Sequence, residues 1–298
     1  MKVLPRIAPI SAPAGTPGVA ATAAKHWAAA IELDFEHRRD RTALVRSSHV
    51  GPLRVQRPFY PEGGCCHLYL LHPPGGMVPG DELSVALSLA SGSHLLMTTP
   101  SAGKVYRSDA HATRQRQGVM AKVAAGAMLE WLPQETIVFE GAQGILHNRF
   151  ELSGDARLCA WDIVVLGRRA SGEAFRHGRC EQLFEVYREG RPLLHERTNY
   201  IGGSAMLTAP WGMASASVSG SMVVTLSTNR DQLDSLRESL AALALAGEWG
   251  LSQKGELLLV RYLGDSAEKA RWGFEHIWAR VRPMMGQAVV SRPRIWNT

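Results

Sequence analysis

Polar and apolar positions alternate with period two along much of this chain. Leu83, Val85, Leu87 and Leu89 point one way, and Ser84, Ala86 and Ser88 the other. That pattern predicts a half-buried strand over 83–89. Trp27 to Phe35 alternates in the same manner, with Ile31, Leu33 and Phe35 against Glu32 and Asp34. Arg41 to Val45 is a second short strand candidate. Cys66 to His72 differs, because it is apolar on both faces. It is too short for a buried helix and is fenced by turn residues, so it too is predicted as a strand. The turn after it, Pro73-Pro74-Gly75-Gly76, fixes φ at the prolines and permits positive φ at the glycines.

A weak repeat overlies this alternation. Leu89-x-x-Gly92-x-x-Leu95 recurs from Val123, with Gly126 and Leu129, from Leu152, with Asp155 and Leu158, and from Tyr187, with Gly190 and Leu193. The intervals are 34, 29 and 35 residues. Each copy reads as a strand end, a turn at Gly or Asp, and a new strand. This predicts stacked sheets winding along an axis. Four ordinary turns of an unrelated β protein would give a similar pattern.

Helical periodicity comes late. Thr228 and Asn229 offer caps, Leu233, Leu236, Leu240 and Leu243 form a stripe, and Gly247 follows. Glu256 to Leu263 predicts an apolar strand. Asp265, with Glu268 three residues on, suggests a capping box for a second helix. Its stripe is Ala270, Phe274, Ile277, Trp278 and Val281, and Pro283 ends it. The expected fold is mainly β, a many-stranded body of stacked sheets with two C-terminal α-helices. The β body extends to about 227 and the helix–strand–helix portion covers 228–285. Residues 27–298 read as one domain after a flexible tail at 1–26. Pro5, Pro9, Pro13 and Pro17 interrupt any signal-peptide core in that tail.

Composition narrows the class. The 298 residues are 45% hydrophobic and 20% charged, as in an ordinary folded protein, and no run is long enough to span a membrane. Four cysteines in a chain of this length do not make a disulfide framework, which favours a reducing, cytoplasmic setting. The net charge of +6 is spread over scattered arginines without a basic stripe. An acidic protein partner fits that distribution better than nucleic acid.

Enzymatic motifs are missing. There is no G-x-S-x-G elbow, and Gly103-Lys104 lacks the rest of a phosphate loop. Cys65, Cys66 and His67 are adjacent potential metal ligands, but no C-x-x-C or H-E-x-x-H accompanies them. On a strand Cys65 and His67 share a face, with Cys66 on the other. Buried cysteines commonly act as small hydrophobes. Several acids stand beside turns or within apolar runs: Asp81, Glu130, Glu135, Asp162 and Glu173. A carboxylate inside the apolar run Leu158 to Leu166 is costly unless paired, hydrated or used. Asp162 could pair with an arginine such as Arg168. Several such acids are also compatible with a polar passage for a divalent cation, which needs weak sequential oxygen sites.

Five ordered blocks carry a resemblance. They are Arg57 to Asp81 (RPFYPEGGCCHLYLLHPPGGMVPGD), Thr98 to Ser108 (TTPSAGKVYRS), Leu129 to Phe139 (LEWLPQETIVF), Trp161 to Phe175 (WDIVVLGRRASGEAF) and Pro293 to Thr298 (PRIWNT). In order and spacing the chain resembles the UreD (UreH) family of urease accessory proteins, from roughly Ile31 to its end. The resemblance implies a β-superhelix and a non-enzymatic protein. It further implies binding to urease apoprotein and to a UreF-type protein, which recruits a UreG-type GTPase. Ni²⁺ would pass through an internal tunnel and no cofactor would be tightly held. Asp81 and Asp162 match acidic positions implicated in that path, with Glu135 and Glu173 as further candidates. Lys104 and Tyr106 lie in a matching block. Cys66 belongs to the family block and Cys65 does not. Pro79 stands where the family usually has glycine, and Gly103 where many members have Ser or Thr. The alternative is a free-standing metal-binding protein or metalloenzyme built on Cys65 and His67, with Cys66 and His67 as metal candidates. A third reading is a structural adaptor that never touches the ion.

Overall fold

The computed structural model describes residues 27–287 and 290–297; the tail expected at 1–26 lies outside them. In chain order the strands begin with β1 (Trp27–Arg38), β2 (Arg41–Val50), β3 (Arg54–Val55), β4 (Cys66–Leu71), β5 (Asp81–Leu89), β6 (His94–Thr98) and β7 (Gly103–Val105). They continue with β8 (Gln115–Val123), β9 (Met128–Trp131), β10 (Thr136–Val138), β11 (Gln143–Leu152) and β12 (Arg157–Leu166). The last five are β13 (Arg179–Arg188), β14 (Arg191–Ile201), β15 (Val218–Thr225), β16 (Glu248–Lys254) and β17 (Leu257–Gly264). Three α-helices accompany them: α1 (Ala205–Thr208), α2 (Arg230–Ala241) and α3 (Ala267–Met284).

The strands form two stacked sheets. One runs β14-β13-β11-β8-β5-β1-β2; the other runs β16-β17-β15-β12-β9-β6-β4-β3, with β10 paired to β12 and β7 to β10. Between the sheets lies the larger core, including Leu33, Phe35, Leu87, Leu95, Leu129 and Phe150. The outer face of the second sheet carries another core, shared with α2 and α3 through Leu236, Phe274, Ile277 and Trp278. The second sheet is therefore covered on both faces. That is why Cys66–Leu70, His94–Thr98 and Leu158–Val164 are buried without a break. The first sheet is covered on one face, so Asp81–Leu89 alternates buried and less buried positions along its length.

The repeat has a structural basis in three of its four copies. At Gly92, at Gly126 and at 153–156 the chain passes from the first sheet to the second, and the strands joined in each sheet run parallel. The turns stack on one another. Ser91 Oγ donates to Ala125 O, Gly126 N donates to Asp155 Oδ1, and Gly154 N donates to Glu189 Oε1. In the third copy Gly154, not Asp155, takes the positive φ, and Asp155 braces the neighbouring turn instead. The fourth copy is an antiparallel hairpin, β13–β14, within the first sheet.

The C-terminal portion departs from expectation in detail. A one-turn helix, α1, precedes the two expected ones. Helix α2 starts at the Asn229 cap, which forms a capping box with Gln232, but it ends at Ala241, so Leu243 lies beyond the stripe and is exposed. Ser266, not Asp265, caps α3 by accepting from Lys269 N. Asp265 turns away to accept from the backbone and hydroxyl of Ser217. Strand β16 escapes the periodic reading because EWGLSQK buries a single residue, Leu251. It joins β17 as a hairpin and extends the second sheet, whose outer face the helices cover. No helix among the described residues is long and apolar enough to cross a membrane.

Trp249 of β16 lies directly on Gly273 of α3. A Cβ on Gly273 would stand 2.1 Å from Trp249 Cη2 and 2.6 Å from Cζ2. Gly273→Ala is expected to cost about 1–3 kcal/mol through overpacking, read as a lower denaturant midpoint. An unchanged midpoint would mean that the indole moves aside freely.

Candidate functional site

Two groups of buried polar side chains stand out, one between the sheets and one between the second sheet and the helices. The first is built from strand parity. Leu158, Ala160, Val164 and Leu166 of β12 face the inter-sheet core, so Asp162 faces it too. Its Oδ2 accepts from Asn148 Nδ2 of β11 at 3.0 Å and from Gln182 Nε2 of β13 at 2.9 Å. Both donors are neutral amides. Arg168, a sequence-level candidate partner, is taken by Glu173 at 2.6 Å. Burial pushes the Asp162 carboxyl up to about 6, against the pull of Gln182, Asn148 and the Ile163 amide.

This carboxylate adjoins a cavity. Tyr200, buried on β14, donates its hydroxyl to Gln182 Oε1 at 3.0 Å. Gln182 and Tyr200 line a cavity of about 450 Å³ at the end of the two-sheet stack. Ser219, Ser221, Glu196 and Arg261 contribute its polar wall, and Arg261 Nη1 donates to Glu196 Oε2 at 2.7 Å. Asp162 is thus one amide side chain away from this space.

Asp81 also faces the inter-sheet side, at the start of β5, where its Oδ2 accepts from Val78 N at 2.9 Å. Its approach is fixed by two sequence blocks meeting. Met77 N donates to Lys104 O, and Tyr106 N donates to Met77 O. The Tyr106 ring covers Gly76, where a Cβ would lie 2.5 Å from Cε2. Lys104 Nζ reaches Gly75 O at 3.5 Å. Lys104 and Tyr106 therefore brace the glycine turn that leads to Asp81. Glu135 and Glu173 are not gathered with the two aspartates. Glu135 lies 3.7 Å from Arg271 of α3, and Glu173 is bound by Arg168 and accepts from Glu140 N. The Arg168 contact outweighs desolvation and holds the Glu173 carboxyl below its usual range.

The second group surrounds Arg282. This guanidinium, on the buried stripe of α3, is fully buried. It donates to Glu130 from Nε at 3.1 Å and from Nη2 at 3.0 Å, and to Glu62 at 2.5 Å. Glu130 also accepts from Trp278 Nε1 at 2.5 Å and sits 2.6 Å from His94 Nε2. Burial alone would raise the Glu130 carboxyl; His94 and then Arg282 outweigh it and hold it at about 2. Cys65 and His67 face this group, whereas Cys66 packs in the opposite, inter-sheet core. Of the adjacent pair Cys66 and His67, only His67 therefore joins it. The sequence held two signs of this cluster: an arginine four residues after Trp278 on an apolar stripe, and a glutamate inside Met128–Trp131.

Comparison with known proteins bears on which group matters. The family model described as UreD urease accessory protein matches residues 28–297. The chain belongs to the UreD family. It is 47% identical to the urease accessory protein UreD of Saccharophagus degradans over 99% of both chains. It is 41% identical to that of Chromohalobacter salexigens over 96% of this chain and 94% of the relative, and 43% identical to that of Marinobacter nauticus over 92% and 94%. In this UreD-family chain the Pro73–Asp81 turn and the Lys104–Tyr106 block, distant in sequence, form one braced unit.

Proposed function

We propose that this chain is a non-catalytic accessory protein of urease maturation. In this reading it binds the urease apoprotein and a UreF-type partner, with a UreG-type GTPase recruited through the latter, and passes Ni²⁺ through its interior. One observation carries the nickel role. Asp162 is a buried carboxylate held, among the described residues, by neutral amides alone and set beside a cavity whose wall is part polar, part apolar. A fold gains little from such a group, because burial disfavours its charged form and no cation repays the cost. A divalent cation in transit would repay it briefly and leave again, as a path requires. Asp81, facing the same inter-sheet side, fits a second station. The parallel progression of β5, β8, β11 and β13 supports reading the body as a β-superhelix with that space along its axis.

The test is co-expression with urease apoprotein and UreF- and UreG-type proteins, with and without this chain, followed by nickel analysis of purified urease. Nickel is expected only when the chain is present. Asp81→Ala, folded as judged by circular dichroism, is expected to lower the nickel content by about tenfold or more. Equal nickel with and without the chain would end the maturation reading. Full nickel with Asp81→Ala would remove Asp81 from the path.

A further inference from the structure

The pocket beside Arg282 contains more than an ion pair. We propose that Glu62, Cys65 and His67 form a resident site for one borderline divalent transition-metal ion of the zinc and nickel class, separate from the inter-sheet path. A carboxylate oxygen, the Cys65 sulfur and an imidazole nitrogen all lie within 4.8 Å of one another. The local chain explains the meeting. Cys65, just before β4, and His67, within it, face the same side, and the turn before the strand brings Glu62 to them. Oxygen, sulfur and nitrogen together suit zinc, nickel or cobalt better than magnesium or calcium. Three protein ligands leave a fourth position for an exchangeable one.

His67 supplies the independent observation. Its ring is fully buried, and among the described residues neither Nδ1 nor Nε2 has a partner in hydrogen-bond geometry. Nε2 is 3.3 Å from Glu62 Oε1 but outside hydrogen-bond geometry. A buried imidazole is normally satisfied through at least one nitrogen. A metal at this point would use one of the two.

Charge balance favours the ion as well. Two carboxylates, Glu62 and Glu130, face one guanidinium, Arg282. On binding, the Cys65 S–H bond breaks, an Sγ–metal bond forms, and the proton leaves to solvent. No electron is transferred. A divalent ion that displaces one proton adds one net positive charge and cancels the excess. Arg282 Nη2 would have to yield its contacts to Glu62 and to Cys65 Sγ, while Nε and Nη2 keep Glu130.

The experiment uses the full chain, stripped with a chelator and titrated with Co²⁺ alone. One Co²⁺ per chain is expected, with a thiolate-to-cobalt charge-transfer band. The band should vanish in Cys65→Ser and His67→Gln, and persist in Cys180→Ser and Asp162→Asn. Absence of the band from the parent chain, or its survival in Cys65→Ser, overturns the proposal. X-ray absorption at the cobalt edge of the parent gives a reading that needs no variant. One sulfur neighbour among oxygen and nitrogen is expected; a shell without sulfur refutes the site.

Discussion

Arg282→Ala is expected to lower the free energy of unfolding by about 3–5 kcal/mol, because it strands a buried charge. Among the described residues Glu130 would keep Trp278 and His94, and Glu62 the Ser291 amide, with His67 at ion-pair distance. Arg282→Lys should recover part of the loss, since an ammonium cannot make the forked contact to Glu130. The double variant Arg282→Met with Glu130→Gln should be more stable than Arg282→Ala but short of the parent, because the guanidinium and the fully buried carboxylate leave together while Glu62 loses its cation. Urea titration of the four proteins decides this. A single-variant cost below about 1 kcal/mol would mean that solvent reaches the pocket.

The same cluster has a pH signature. The folded Glu130 carboxyl titrates at about 2, below its ordinary 4.5. A depressed carboxylate contributes stability that is present above the unfolded value and is lost as pH falls from there toward 2. The parent chain should therefore lose stability through that acidic window. Arg282→Ala should show a weaker acid dependence. An identical acid limb in both would show that His94 alone holds the charge.

Asp162→Asn should act in the opposite direction and stabilise the isolated chain. The Asp162 carboxyl is raised from 3.8 to about 6 on folding. Below the unfolded value both states are protonated and there is no penalty. Between 3.8 and about 6 the unfolded state releases its proton first, so the folded state loses ground as pH rises. Above that window the penalty is complete, at about 3 kcal/mol for such a shift. An amide has no charge to desolvate, yet it must fit one NH₂ among donors, so a net gain of about 1–3 kcal/mol is expected. The gap between Asp162→Asn and parent should be near zero at the acid end, widen up to about pH 6 and then stay level. The same variant should fail to support nickel loading of urease. Stability gained together with function lost would be the mark of a carboxylate kept for use. A destabilised variant at pH 8 would instead make Asp162 a structural group.

Much of the fold could be read along the chain. The alternation at Ile31, Leu33 and Phe35 and at Leu83 to Leu89 predicted strands covered on one face, and these are in the first sheet. The unbroken apolar run from Cys66 marked a strand buried on both faces, because helices cover the far side of its sheet. Thr228 and Asn229 marked the start of α2 as candidate caps, and Asn229 is the cap. The fourth repeat copy was misleading, since Tyr187-x-x-Gly190 has the same local needs whether the next strand changes sheets or folds back.

The sequence by itself determined strand and helix periods, turn positions and family membership, because these depend on neighbours a few residues apart or on ordered blocks. It also exposed Asp162 as an acid in a costly place and Asp81 as an acid closing a glycine turn. Only the tertiary structure decided what those acids meet. Arg282 lies 220 positions from Glu62 and 152 from Glu130, and Asp162 takes amides from β11 and β13 in place of Arg168. A buried charge selects its partner by distance across packed layers, and no local periodicity encodes that distance.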